Sequence, residues 1–179
     1  IKMIIYDTVS RTLSLNKFLN SSLETYPTLN SNILFYQKLN KENKNSTMVK
    51  TFPSNDLREQ ISKSIWMKFS LNKKNIISKK CKFDDLYDYD ILVLNEFSTP
   101  LFEAFLTYRP FILIYGNIIE NLNQKAKENF LKLKKLKIIF KNSYEAANFI
   151  NKNKSRFYDN WQKVVKNKSY LDLRKILIN

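Results

Sequence analysis

The residues best suited to chemistry stand close together at positions 98, 99 and 103. In "NEFSTPLFEAFLTYRPFILIYGN" (95–117) a strand-like run ends in a hydroxyl pair, Ser98 and Thr99, and an apolar helical stretch then carries one carboxylate, Glu103. Thr99-Pro100 reads as a helix start, a capping hydroxyl followed by proline at the first helical position. The free N–H groups and dipole of such an N-terminus favour an anion, diphosphate among them. Ordinary capping would need only Thr99. Glu103 cannot complete a capping box with it, because the third residue on is Phe102. Glu103 shares a helical stripe with Thr99, one turn on, and Thr107 follows a turn later. On that stripe it either faces solvent or accepts hydrogen bonds from ribose hydroxyls.

Several other chemistries are excluded by what the 179 residues lack. There is no histidine, so neither a Ser-His-Asp triad nor a histidine base is available. One cysteine, Cys81, allows no intrachain disulfide and no cysteine-based zinc site. The single glycine, Gly116, rules out the G-x-G-x-x-G fingerprint and the P-loop. "YDYD" (87–90) reads as a turn entering a strand rather than as a metal-binding Asp-x-Asp, and neither a metal nor a cofactor is expected. No apolar run approaches the roughly 20 residues of a membrane span. No signal-peptide pattern opens the chain, and a start at Ile1 rather than Met suggests a piece of something longer.

The net charge is +15, from 31 Lys+Arg against 16 Asp+Glu, which normally points to phosphate-rich partners. The chain also holds 22 asparagines, the load expected of A/T-heavy codons. Its lysines are scattered, and few alternate with aromatics as a single-strand platform requires. Nucleic acid is therefore the less favoured partner.

These residues need elements to position them, and the hydrophobic pattern supplies an alternation of strands and helices. Strands are expected at Met3–Asp7, Thr47–Phe52, Asn75–Ser78 (short), Asp90–Leu94, Phe111–Tyr115 and Ile138–Phe140. Helices are expected from Pro27 to about Leu39, from Asp56 to about Phe69, from Thr99 to Pro110 and from Asn123 to Leu133. Asp84–Tyr89 reads as one helical turn, Ser143 as the cap of Tyr144–Asn151, and the C-terminus as helices Arg156–Lys166 and Tyr170–Ile178. Leu29, Ile33, Tyr36 and Leu39 fall roughly on one face of the first helix; Leu57, Ile61, Ile65 and Phe69 recur at helical spacing in the second. Asn40–Ser46 reads as a polar linker.

Short apolar strands alternating with helices imply one α/β domain over residues 1–179. Its core would be a Rossmann-like, doubly wound parallel sheet of about six strands, with helices on both faces and further helices at the C-terminus. Sequential winding places the first strand centrally, beside the fourth. Such sheets bind ligands at the carboxyl ends of their strands. The loops there are 8–11, 53–56, 79–83, 95–99 and 116–121, whereas Lys132, Lys134, Lys135 and Lys137 precede a strand and fall on the opposite edge.

"YDILVLNEFSTPLFEAFLTYRPFILIYG" resembles the strand–Ser/Thr–helix–Glu–Pro–strand segment in the C-terminal lobe of GT-B glycosyltransferases. Within them it is most similar to a group of surface-carbohydrate transferases distantly akin to capsule polysaccharide synthesis enzymes. "KMIIYDT", "MVKTFPSND", "AKENFLKLKKLKIIFKNSYEAANFIN" and "FYDNWQKVV" extend the likeness over nearly the whole chain. It implies a metal-independent lobe that holds a nucleotide-sugar donor, with Ser98 and Thr99 at the phosphates and Glu103 at the ribose. Lys50, Asn55 and Lys80 join them as donor-binding candidates. Lys50 stands where the group has arginine, keeping the charge but not the two-pronged fork, and the glycine usual near the end of "PSND" is missing.

The resemblance further implies an N-terminal acceptor lobe absent from this chain, a saccharide acceptor, and no turnover by this lobe alone. A cytoplasmic location, free or peripheral at the inner membrane, is the matching expectation. The competing class is a basic, non-catalytic Rossmann-like module for nucleic acid or an acidic partner.

Overall fold

The strands form where the side chains are apolar on both faces. In the computed structural model, which describes residues 2–7, 27–51, 57–69, 71–77, 88–95, 99–116 and 123–178, β1 (Met3–Asp7), β4 (Ile91–Leu94) and β5 (Phe111–Ile114) are almost wholly buried. Runs such as Ile-Leu-Val-Leu are what a parallel sheet covered on both sides demands. β2 (Thr47–Thr51), β3 (Ile76–Ile77) and β6 (Ile139–Phe140) complete a six-stranded sheet in the order β3-β2-β1-β4-β5-β6, every pairing parallel. Ile5 lies opposite Val49 on one side and Val93 on the other, so β1 is central and beside the fourth strand, as expected.

The helices are α1 (Pro27–Lys38), α2 (Lys41–Asn45), α3 (Leu57–Lys68), α4 (Thr99–Thr107), α5 (Gln124–Lys134), α6 (Ser143–Asn153), α7 (Phe157–Val165) and α8 (Lys168–Ile178). The chain moves one way from β1 to β2 and the other way from β4 to β5. Right-handed crossovers then place α1 and α3 on one face and α4 and α5 on the other. α6 joins the first face, where Ser143 Oγ donates to the Ser31 carbonyl at 2.7 Å. α8 joins the second, where Arg174 Nε donates to the Phe105 carbonyl at 2.8 Å. This is the expected doubly wound arrangement.

Local departures from the sequence reading have identifiable causes. The stretch 40–46 is not a plain linker: Asn40 caps α2, its side chain accepting from the Asn43 N–H at 2.8 Å. α6 is capped by Asn142, which accepts from the Glu145 N–H at 2.9 Å, while Ser143 is buried against α1 instead. α3 buries Ser62 and Trp66, whereas Ile65 and Phe69 are only partly covered. The cause is a buried polar partner on β1, described below. Phe52, Ser78, the segment 84–87, and the side chains of Leu57 and Ile61 lie outside the described residues.

α4 stops abruptly. Tyr108 adopts a left-handed φ of 55°, and the Arg109 N–H returns to the Ala104 carbonyl at 3.0 Å, closing the helix end before Pro110 starts the approach to β5.

Candidate functional site

The strand order reverses direction between β1 and β4. Sheets of this winding have their ligand crevice at the carboxyl edge, at that switch point. α1 and α4 both begin at that edge, so two helix N-termini, each carrying partial positive charge, flank it. Asn95 closes the floor: it is buried at the end of β4, and its Nδ2 donates to the Thr28 carbonyl in the first turn of α1 at 2.7 Å. Its Oδ1 is buried with no hydrogen-bond partner among the described residues.

α4 presents Thr99 and Glu103 on one stripe. Leu101, Ala104 and Phe105 are buried against the sheet; Thr99 is exposed and Glu103 partly buried on the outer side. The helix begins at Thr99 itself, which is thus its first residue rather than the cap before it. Helical side chains tilt toward the N-terminus, so Glu103 covers the turn that Thr99 opens. No group among the described residues donates to the Glu103 carboxylate, and burial holds its pKa above the ordinary value. Thr107 does not engage that carboxylate: its Oγ1 donates to the Glu103 backbone carbonyl at 2.8 Å.

Lys50 lies at the same edge on β2, buried at 6% exposure, with Nζ donating to the Thr51 carbonyl at 3.3 Å. Alternation along the strand turns it to the face opposite Asp7 and Thr51, which is the face of α4. Two strand spacings separate β2 from β4, roughly 10 Å. Ser98, Asn55 and Lys80 lie outside the described residues. Of the candidates, the structure therefore places Thr99 and Glu103 together, with Lys50 on the same edge and face but a strand removed.

Among the described residues, the most heavily bonded acid at this edge is one not among the candidates. Asp7, 1% exposed at the end of β1, accepts from Ser62 Oγ at 2.5 Å, Trp66 Nε1 at 2.8 Å and Asn32 Nδ2 at 3.3 Å. Burial raises its pKa, and these three hydrogen bonds oppose the rise. An aspartate ending an apolar strand at the ligand edge is a signal the sequence carries. Its partners, spread over two helices, are not adjacent to it in sequence. Among the described residues no cluster of His, Cys, Asp or Glu could hold a metal ion, and no helix is long and apolar enough to cross a membrane.

The six-stranded parallel sheet with helices on both faces is a Rossmann-like α/β domain, and at its switch point Thr99 opens a helix that carries Glu103 one turn on. The family model of LIC12162 family transferases matches residues 4–167, and the chain belongs to that family. No curated protein and no solved structure matches the chain.

Proposed function

We propose that this domain is the nucleotide-sugar donor-binding lobe of a GT-B-type glycosyltransferase acting in surface polysaccharide synthesis. The observation that carries the reading is the pairing of Thr99, at a helix N-terminus on the switch-point crevice, with Glu103 one turn on, whose carboxylate has no donor among the described residues. Membership of a transferase family and the likeness of residues 89–116 to such a lobe support it.

The chemistry assigned to each group follows from its position. The N–H groups opening α4, with the Ser98 and Thr99 hydroxyls, donate to the donor's diphosphate, whose charge the helix dipole favours. Glu103 accepts from the ribose hydroxyls, which fixes the nucleoside relative to the diphosphate. Lys50, on the same face, contributes long-range positive charge, with Asn55 and Lys80 on neighbouring strand-end loops. In-line transfer of the sugar then needs an acceptor and a general base facing this edge from a second lobe, as in other two-lobed transferases. In this reading the lobe binds donor without turning it over and needs no metal.

Calorimetric titration with a panel of nucleoside diphosphates tests the reading. One base should bind with Kd on the order of 0.1–1 mM, about −4 to −5.5 kcal/mol. Glu103→Gln should weaken that binding, since an amide oxygen accepts less strongly from hydroxyls than a carboxylate does. Absence of binding across the panel would remove the donor role.

A further inference from the structure

At the amino edge of the sheet, the end away from the switch point, the last turn of α1, the short α2 and the end of α3 surround a second hollow. It has a volume of about 620 Å³, and its lining includes Tyr36, Gln37, Lys41, Lys44, Lys68 and Phe69. That size lies within the range of small-molecule sites. Three of those side chains are ammonium groups. Among the described residues no carboxylate pairs with any of them; the ion pair on α2 joins Glu42 to Lys154 at 3.9 Å.

Helix ends alone do not account for this charge. The C-termini of α1 and α3 contribute about −0.5 each, which offsets roughly one ammonium of the three. The remaining positive charge is gathered in a concave place, where like charges repel and an anion would relieve them. Lys44 is partly buried, its Nζ 5.8 Å from the centre of the Tyr36 ring, so the ring face helps hold the ammonium at the wall of the hollow. Tyr36, itself buried, and Phe69, partly buried, supply an apolar floor beneath the charges. An ammonium is a point charge with three donors, suited to a multiply charged oxyanion rather than to a single planar carboxylate.

We infer that this hollow is a second anion site, which takes the phosphate groups of a phosphorylated ligand. The ligand is either a soluble phosphorylated molecule or the headgroup of an anionic phospholipid; the phosphate chemistry is the same. The site is at the opposite end of the strands from Thr99 and Glu103 and does not rest on the donor-lobe reading.

The test uses the 179-residue chain with inorganic pyrophosphate as probe, and sedimentation with vesicles of phosphatidylglycerol and phosphatidylcholine as a second arm. The paired substitution Lys44→Gln with Lys68→Gln should weaken binding by about tenfold, the loss expected on removing two charges beside a phosphate. A matched pair on the same edge, Lys132→Gln with Lys134→Gln, removes equal net charge and should change it by no more than about twofold. Loss confined to the Lys44/Lys68 pair supports the site: in the vesicle arm it marks a lipid headgroup, in the pyrophosphate arm alone a soluble ligand. Equal loss in both pairs, loss in neither, or no binding of either probe would overturn it. The melting temperature of each variant without ligand checks that the fold is intact.

Discussion

The Trp66 indole donates to the Asp7 carboxylate at 2.8 Å, across 59 residues of chain, and so ties α3 to the ligand-edge end of the central strand. Ser62, one helical turn before Trp66, donates to the same oxygen at 2.5 Å. Trp66 is fully buried, and the Tyr36 ring of α1 meets it edge-on with centroids 5.9 Å apart. Replacing Trp66 with Phe keeps most of the apolar volume but removes one donor from a buried acid. A loss of about 1–3 kcal/mol in urea denaturation is expected. In a double-mutant cycle with Asp7→Asn, the two changes should couple by at least about 0.5 kcal/mol. Strict additivity would mean that the hydrogen bond contributes nothing.

The same carboxylate should leave a pH signature. Burial raises the Asp7 pKa above its unfolded value, so between the two values the folded state holds the proton that the unfolded state has released. Its contribution is fully present below the unfolded pKa, about 3.9, and is lost as pH rises through the folded value. The stability difference between the native chain and Asp7→Asn should therefore shrink as pH rises from about 4 toward neutrality. Denaturation midpoints at several pH values measure it. A difference that grows with pH would show that the three hydrogen bonds outweigh the burial.

Tyr170 supplies a test on the other face of the sheet. Its ring stacks on Phe105 with centroids 5.0 Å apart and meets Trp161 edge-on at 5.7 Å, while its hydroxyl is buried without a partner among the described residues. Leaving a buried hydroxyl unpaired costs about 1–3 kcal/mol, so Tyr170→Phe should be neutral or stabilising. Tyr170→Ala, which empties the aromatic cluster, should cost about 3–5 kcal/mol. A clear loss of stability in the Phe variant would mean that the hydroxyl is hydrogen-bonded in solution.

What the sequence disclosed follows from how local each signal is. Ile91–Leu94 and Phe111–Ile114 are continuous apolar runs, and their role as doubly covered strands needs no knowledge of partners. The helix start at Thr99-Pro100 is equally local and falls within a residue of the structure, and the helix stops at Thr107, three residues short of Pro110. On α3, Ile65 and Phe69 pack on the core at the expected helical spacing, while Ser62 and Trp66 are buried for Asp7, a partner visible only after the chain has folded. Likewise Ser143, a good capping residue by type, is buried against Ser31 of α1, and Asn142 caps α6 instead. Asn95 carries no local signal either, because its contact with the Thr28 carbonyl spans 67 residues. Thr99 and Glu103 could be paired in advance because helical spacing alone puts them on one stripe.

The central claim, a donor pocket built on Thr99 and Glu103, is tested most directly by thermal denaturation with and without a nucleoside diphosphate. The Lys44→Gln, Lys68→Gln background removes any contribution from the amino-edge hollow. A ligand that binds only the folded state stabilises it by RT ln(1 + [L]/Kd), so about 10 mM ligand should contribute roughly 1.4–2.7 kcal/mol for a Kd of about 0.1–1 mM. In a domain of this size that is a rise of a few degrees in melting temperature. Inorganic pyrophosphate should raise it less, and added salt should erase its effect first. Glu103→Ala should reduce the nucleotide shift and leave the pyrophosphate shift unchanged. Equal shifts with nucleotide and pyrophosphate, or a nucleotide shift indifferent to Glu103, would contradict the assignment.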